Sequence, residues 1–116
     1  MKLDLASRFA DGTATLELGG ELDLSTVPEA ESTLLELERE PHLETIVLDL
    51  RKLEFMDSTG LRFVLAAHAR ATGSEHRFVV IRGGDTVDRV FRLTLLDERL
   101  EFADSPRDLF GDGADA

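Results

Sequence analysis

The sequence predicts a single α/β domain with a mixed sheet of four or five strands and helices packed against it. Two observations lead to this prediction. In some segments apolar and polar residues alternate, as in half-buried strands, and in others apolar residues recur every three or four positions, as in amphipathic helices. These segments follow one another in the order β-β-α-β-α-β-α-β, and helices interleaved with strands indicate a layered α/β fold.

The first two strands are predicted to form a hairpin. Residues 3–7 and 13–18 alternate between apolar and polar side chains, and the Asp11-Gly12 pair between them is typical of a tight turn. The Gly19-Gly20 pair is expected to break the second strand.

The first helix is predicted after these strands. Ser25 or Thr26 would cap it, Pro28 suits its first turn, and Pro41 would end it. The residues expected to face the core share a helical spacing: Val27, Ala30, Leu34 and Leu37.

The middle of the chain is predicted to hold a buried strand and the second helix. Residues 44–50 contain an unbroken apolar run, which suits a central strand covered on both faces. Residues 51–57 are interpreted as a short connection. A helix is predicted over residues 58–72, ended by Gly73.

The last third is predicted as strand, helix and strand. Residues 78–81 form a second buried strand, the Gly83-Gly84 pair a turn, and Asp85 the cap of a third helix. Leu100 and Phe102 alternate as in a short final strand.

The domain is expected to span residues 1–110. Within it the Ser105-Pro106 pair can open one more helical turn. Residues 111–116 are small and polar and are expected to form a disordered tail.

Composition restricts the function. The chain has 116 residues, which suits one domain, and a net charge of −11, which disfavours binding to nucleic acid or to anionic membrane surfaces. There is no cysteine, no apolar stretch long enough for a membrane span and no signal-peptide pattern at the N-terminus. We therefore expect a cytoplasmic protein.

The segment from Met56 to Leu61 carries the most informative chemistry. Ser58 lies at a predicted helix start, where unpaired backbone amides and the helix dipole favour an anion such as a phosphate. Asp57 could accept the Ser58 hydroxyl proton, and Gly60 would leave room beside it. The same residues also fit an ordinary N-terminal cap, which the local pattern alone favours.

Other polar residues are weaker candidates. Asp23 could contact a partner or simply cap a turn, and Thr59 is a second hydroxyl beside Ser58. The histidines lack the spacing of metal ligands, and the Gly83-Gly84 pair lacks a following Gly-Lys-Ser/Thr. We therefore predict no catalytic residues, no metal, no cofactor and no enzymatic activity.

Taken together, the motifs resemble those of the STAS domain family, and within it the bacterial anti-sigma factor antagonists. The matching segments run from residue 3 to about residue 105. They are Gly20 to Asp23, Leu48 to Leu50, Phe55 to Leu61, and Val87 to Leu93 with Leu96-Asp97.

The resemblance implies a phosphorylation switch at Ser58. In that family the unphosphorylated antagonist binds an anti-sigma factor that is also a serine/threonine kinase, and thereby frees the sigma factor. Phosphorylation of the serine blocks binding, and a serine/threonine phosphatase reverses it. The ATP is bound by the kinase. The residues expected to contact the partner are Asp23, Asp57, Ser58, Thr59, Gly60 and Arg62.

Two positions depart from the family pattern. Arg62 stands where a second glycine is frequent, and this cation could pair with a phosphate or tune partner choice. Leu95 stands where glycine often follows the third helix. The resemblance leaves open an alternative role as a STAS scaffold or ligand-binding module of a transporter or stress-signalling complex, and either a monomer or a weak dimer.

Overall fold

The computed structural model describes residues 2–109. The elements follow the predicted order, with a 3₁₀ turn added before β5, and the helical turn predicted after Ser105 is present as 3₁₀ structure over residues 106–109. They are β1 Leu3–Ala10, β2 Thr13–Leu22, α1 Val27–Leu37, β3 Thr45–Met56, α2 Ser58–Gly73, β4 Arg77–Ile81, α3 Asp85–Leu93, the 3₁₀ turn Leu96–Glu98 and β5 Glu101–Ala103. The predicted tail, residues 111–116, lies outside the described residues and stays a prediction.

The strands form one five-stranded sheet in the order β1-β2-β3-β4-β5. β1 runs antiparallel to β2, and the other neighbours are parallel, which confirms the predicted mixed sheet. Because the parallel strands end at the same edge, the junctions that lead into α1, α2 and α3 also meet there. The candidate residues Asp23, Asp57 and Ser58 therefore lie at the carboxyl ends of the parallel strands.

The helices cover one face of the sheet. Side chains such as Leu16, Leu48 and Val80 join the helical residues Leu34 and Val64 in a single buried cluster. The opposite face has no α-helix among residues 2–109. It is covered in part by the chain after β5, where Leu109 packs on a smaller cluster formed by Val47, Val79 and Ile81.

The prediction that Gly19 and Gly20 break the second strand is wrong. β2 continues to Leu22, with two irregularities in its register against β3. Gly20 has a φ of +89°, and a Cβ there would lie 2.5 Å from the Lys2 carbonyl oxygen. Glycine therefore allows the strand to bulge beside β1 without ending.

The prediction of a connection over residues 51–57 is also wrong. β3 continues through Met56, and its second half pairs with the bulged end of β2, with Lys52 opposite Gly19 and Met56 opposite Leu22. Exposed charged residues in this half hide the strand pattern in the sequence. The long β3 carries the chain to the sheet edge directly before Ser58.

The third helix also begins differently from the prediction. Gly84 occupies the N-cap position, its carbonyl oxygen accepts from the Asp88 amide, and Asp85 is the first helical residue. Asp85 still suits this place, because a carboxylate near a helix N-terminus interacts favourably with the dipole. After α3, Leu95 adopts a left-handed conformation with φ of 62°, a conformation that glycine adopts more easily.

Candidate functional site

Ser58 is the first residue of α2 and lies exposed at the sheet edge. No hydrogen bond within residues 2–109 engages its hydroxyl group. The side chain is therefore open to solvent and to a modifying enzyme. This geometry agrees with a serine at a helix start, as the sequence predicts.

Asp57 is the N-cap of α2. Its Oδ1 atom accepts from the backbone amides of Thr59, at 2.9 Å, and Gly60, at 3.0 Å. These bonds satisfy two of the amides that a helix start leaves unpaired. The capping interpretation is thus realised, and the expected bond from the Ser58 hydroxyl to Asp57 is not formed in this structure.

Gly60 fixes the start of α2 against the sheet. A Cβ at this position would lie 2.7 Å from the Leu22 carbonyl oxygen and 2.7 Å from the Met56 Cγ atom. Gly60 is buried, so its close approach contributes to the packing of α2 on the sheet. Its part in a partner contact stays a prediction.

Asp23 organises the loop between β2 and α1. Its carboxylate accepts from the Ser25 hydroxyl at 2.8 Å and from the backbone amides of Ser25 and Thr26. Thr26 occupies the N-cap position of α1 without a capping bond from its side chain; its hydroxyl donates instead to the Glu21 carbonyl oxygen at 2.8 Å. The turn-forming interpretation of Asp23 is therefore realised.

The same hydrogen bonds set the charge of Asp23. The bond from the Ser25 hydroxyl lowers the pKa of Asp23, and the amides of Ser25 and Thr26 add to this effect against the opposing influence of burial. These hydrogen bonds favour the ionised form of Asp23 and keep its carboxylate within the loop.

A shallow depression joins this loop to the start of α2. It has a volume of about 460 Å³ and is lined by Asp23, Leu24, Ser25 and Asp57. The expectation that Asp23 shares a surface with the segment around Ser58 therefore fits the geometry. The Leu24 side chain is 75% exposed at this depression.

Leu24 is a candidate contact that the sequence reasoning missed. A single exposed apolar side chain is ordinary on a protein surface, so Leu24 is a candidate only because it lines the same depression as Asp23 and Asp57. The available signal was its place directly after Asp23, beyond the end of a strand, where an apolar residue has no core to enter.

Thr59 and Arg62 complete the exposed turn of α2. An Arg62 side-chain nitrogen lies 3.4 Å from the Thr59 hydroxyl oxygen, and Arg62 itself is exposed. Arg62 is also four residues after Ser58, so both side chains lie on the same face of the helix. A cation is thus within reach of any negative charge added at Ser58.

Elsewhere, the described residues form a further concave site. A groove of about 540 Å³ lies on the helix-free face, with Thr15, Val47, Asp49 and Arg51 among its lining residues. Within residues 2–109 no group of three His, Asp or Glu side chains could hold a metal ion. No helix in this part of the chain has the length and apolar character needed to cross a bilayer.

Comparison with known proteins identifies the family. A family model described as "Mlab, STAS domain" matches residues 5–102. The chain belongs to the STAS domain family. The resemblance to this family that the motifs indicate is thereby confirmed over residues 5–102.

Curated relatives of this STAS domain are anti-sigma factor antagonists. The anti-sigma-B factor antagonist of Staphylococcus aureus is 29% identical over 98 residues, which cover 84% of this chain and 90% of the relative. The anti-sigma-F factor antagonist RsfB of Mycobacterium tuberculosis is 34% identical over 88 residues, which cover 76% of this chain and 70% of the relative.

Solved structures support the same fold. An anti-sigma factor antagonist from Mycobacterium paratuberculosis superposes with a TM-score of 0.82 at 27% identity, covering 92% of this chain and 90% of that one. The anti-sigma factor antagonist SpoIIAA in its unphosphorylated form gives a TM-score of 0.76 at 23% identity, with 94% of each chain covered. The second match shows the fold alone.

Proposed function

We propose that this STAS domain is an anti-sigma factor antagonist that works by partner switching. In its unphosphorylated form it binds an anti-sigma factor serine kinase, and the sigma factor is released. Phosphorylation at Ser58 blocks this binding, and a serine/threonine phosphatase restores it. The chain acts as a binding partner and a kinase substrate, without catalysis of its own.

The observation that carries the proposal is the exposed Ser58 hydroxyl at the start of α2, free of hydrogen bonds within residues 2–109. A kinase needs such an accessible hydroxyl. The names of the relatives support the same role, since both curated relatives described above are anti-sigma factor antagonists.

The surroundings of Ser58 suggest how the switch works. Leu24 offers an apolar contact, and Asp23 and Asp57 already place two carboxylates at the same depression. A phosphate adds about −1.5 to −2 charges there. A partner surface that fits the neutral hydroxyl must then accommodate this added charge beside two carboxylates, with Arg62 as the nearby cation that can offset part of it. A thousandfold loss of affinity needs about 4 kcal/mol, which a misplaced dianion can supply.

The test uses the kinase from the same organism, ATP and four forms of the protein. We expect Ser58→Ala to bind the kinase with or without ATP, and Ser58→Asp to bind weakly. The wild type should gain the mass of one phosphate, mapped to Ser58, and then release the kinase. As a matched control, Ser32→Asp adds the same charge at an exposed serine of α1 and should bind normally. Equal binding by Ser58→Ala and Ser58→Asp would contradict the proposal.

One observation favours the alternative of a scaffold or ligand-binding module. The groove on the helix-free face has a volume in the range of small-molecule sites and combines Val47 with the polar groups of Thr15 and Arg51. A pull-down from the native cells separates the two functions. Recovery of an anti-sigma factor kinase supports the switch, and recovery of transport components without a kinase supports the module.

A further inference from the structure

β1 is an edge strand with one side open. Among the described strands it pairs only with β2, so along its outer side the backbone groups have no strand partner. An open edge of eight residues is a ready template for another strand. The chemistry of the strand determines which partner fits.

The hairpin geometry shows which residues point their backbone outwards. Asp11 and Gly12 both have positive φ, as a type I′ turn requires, and the flanking pair Ala10 and Thr13 then exchanges both backbone hydrogen bonds. At the other end the Glu21 amide donates to the Lys2 carbonyl oxygen. Even-numbered residues therefore bond to β2, and the odd-numbered residues 3, 5, 7 and 9 direct their N–H and C=O groups outwards.

We propose that β1 pairs antiparallel with β1 of a second copy of this chain, about a two-fold axis at Ala6. In this register each outward-pointing residue meets another: Leu3 lies opposite Phe9, and Leu5 opposite Ser7. Each such pair forms both N–H···O bonds of an antiparallel ladder. The two sheets join into one continuous sheet, with all helices on the same side.

Charge complementarity selects this register. With the axis at Ala6, Asp4 of each copy lies opposite Arg8 of the other, and the small Ala6 side chains meet at the centre. These are the non-hydrogen-bonded positions, where opposed side chains are closest. Within residues 2–109 neither Asp4 nor Arg8 takes part in an ion pair.

The neighbouring registers lack this complementarity. An axis at Leu5 sets Lys2 opposite Arg8, which places like charges together. An axis at Ser7 sets Asp4 opposite Ala10 and Arg8 opposite Ala6, which leaves both charges unmatched. Strand pairing that is specified by side chains in this way gives a self-complementary two-fold interface.

The same pairing covers apolar area on the helix side of the sheet. Leu3, Leu5 and Phe9 are only partly buried against the main core. In the proposed dimer Leu3 lies opposite Phe9 of the second copy, and Leu5 lies beside this pair, opposite Ser7. The net charge of −11 on each chain opposes association, so the dimer is expected to be weak and to form at high protein concentration.

Sedimentation analysis of the full chain over a concentration series, into the millimolar range, tests the proposal. The wild type should shift from 12.8 kDa towards twice that mass. Ala6→Glu places two carboxylates on the axis, and Arg8→Asp sets like charges opposite one another. Each variant should raise the dissociation constant by about tenfold or more. Ala6 and Arg8 are both exposed, so far-UV circular dichroism and the thermal midpoint should stay those of the wild type.

The charge swap is the decisive variant. Asp4→Arg alone should weaken the dimer like Arg8→Asp, and the double variant Asp4→Arg with Arg8→Asp should restore the wild-type dissociation constant within about threefold. A wild type that stays monomeric throughout overturns the proposal. A dimer that none of these variants weakens, or a double variant that does not recover, also overturns it. Ser58→Ala should dimerise like the wild type, which separates this test from that of the switch.

Discussion

The Asp57 Oδ1 atom lies 3.0 Å from the Gly60 backbone nitrogen and holds the first turn of α2 in place. The same oxygen accepts from the Thr59 amide, so one carboxylate serves two orphan donors next to Ser58. Asp57, which is one of the expected partner contacts, therefore also stabilises the start of α2.

Replacing Asp57 should reveal this stabilisation. Asp57→Ala removes both acceptor bonds and should lower the free energy of unfolding by about 1 kcal/mol, measured by urea denaturation. Asp57→Asn keeps a side-chain oxygen acceptor and should lose distinctly less. Equal losses for the two variants would show that the lost bonds are not the cause. Any effect of Asp57→Asn on kinase binding is then separable from stability.

The two glycines of α2 should respond to alanine in opposite directions. At Gly60 a Cβ would lie 2.7 Å from both Leu22 and Met56 atoms, so Gly60→Ala should destabilise the domain by about 1–3 kcal/mol. At Gly73 a Cβ meets nothing within 4 Å, so Gly73→Ala should stabilise it by about 0.4–1 kcal/mol. Thermal and urea unfolding measure both, and a shift of the same sign in the two variants would contradict the packing argument.

The domain should be more stable with glycine in place of Leu95. Its φ of 62° strains a residue with a Cβ, while its side chain is 64% exposed and contributes little burial. Leu95→Gly should therefore raise the free energy of unfolding, by up to about 1 kcal/mol. The control is Leu93→Gly, an equally exposed leucine at the end of α3, which should lower that free energy by up to about 1 kcal/mol. A lower stability for Leu95→Gly would count against backbone strain.

Acid should remove stability that Asp49 contributes. Burial alone would raise the pKa of Asp49, but the hydrogen bonds and charge of Arg51 lower it below the ordinary value. The folded state therefore holds this proton more weakly than the unfolded chain, whose Asp pKa is about 3.9. The stability that Asp49 contributes is present above the unfolded-state pKa and is lost as the pH falls through the lower pKa of the folded state.

Unfolding in urea at a series of pH values from neutral to acidic checks this linkage. Asp49→Asn should show a smaller loss of unfolding free energy on acidification than the wild type, because it lacks the titrating group. Arg51→Met leaves the buried carboxylate without its cation and should lower stability most at neutral pH. Identical pH profiles for wild type and Asp49→Asn would contradict the assignment.

The periodicity of apolar residues predicted the order of the elements, and local chemistry predicted the helix start at Ser58. The predictions failed where backbone pairing between β2 and β3 extends a strand that the local sequence pattern does not indicate. Residues 51–56 read as a connection because charged side chains interrupt the apolar run, yet β2 supplies a backbone partner along their length. Gly19 and Gly20 were predicted to end β2 because a bulge and a strand end have the same sequence pattern. Leu24 was missed because its exposure depends on a loop that Asp23 folds.

The contact between Gly60 and Leu22 bears on how phosphorylation at Ser58 would affect the protein. The start of α2 packs closely against the end of β2, because glycine at position 60 lets the two backbones approach. Ser58 itself is exposed, so a phosphate added there as proposed would change the charge and shape of the outer surface. Under the proposed function, partner preference can then change by exchange of exposed side chains while the buried scaffold stays constant.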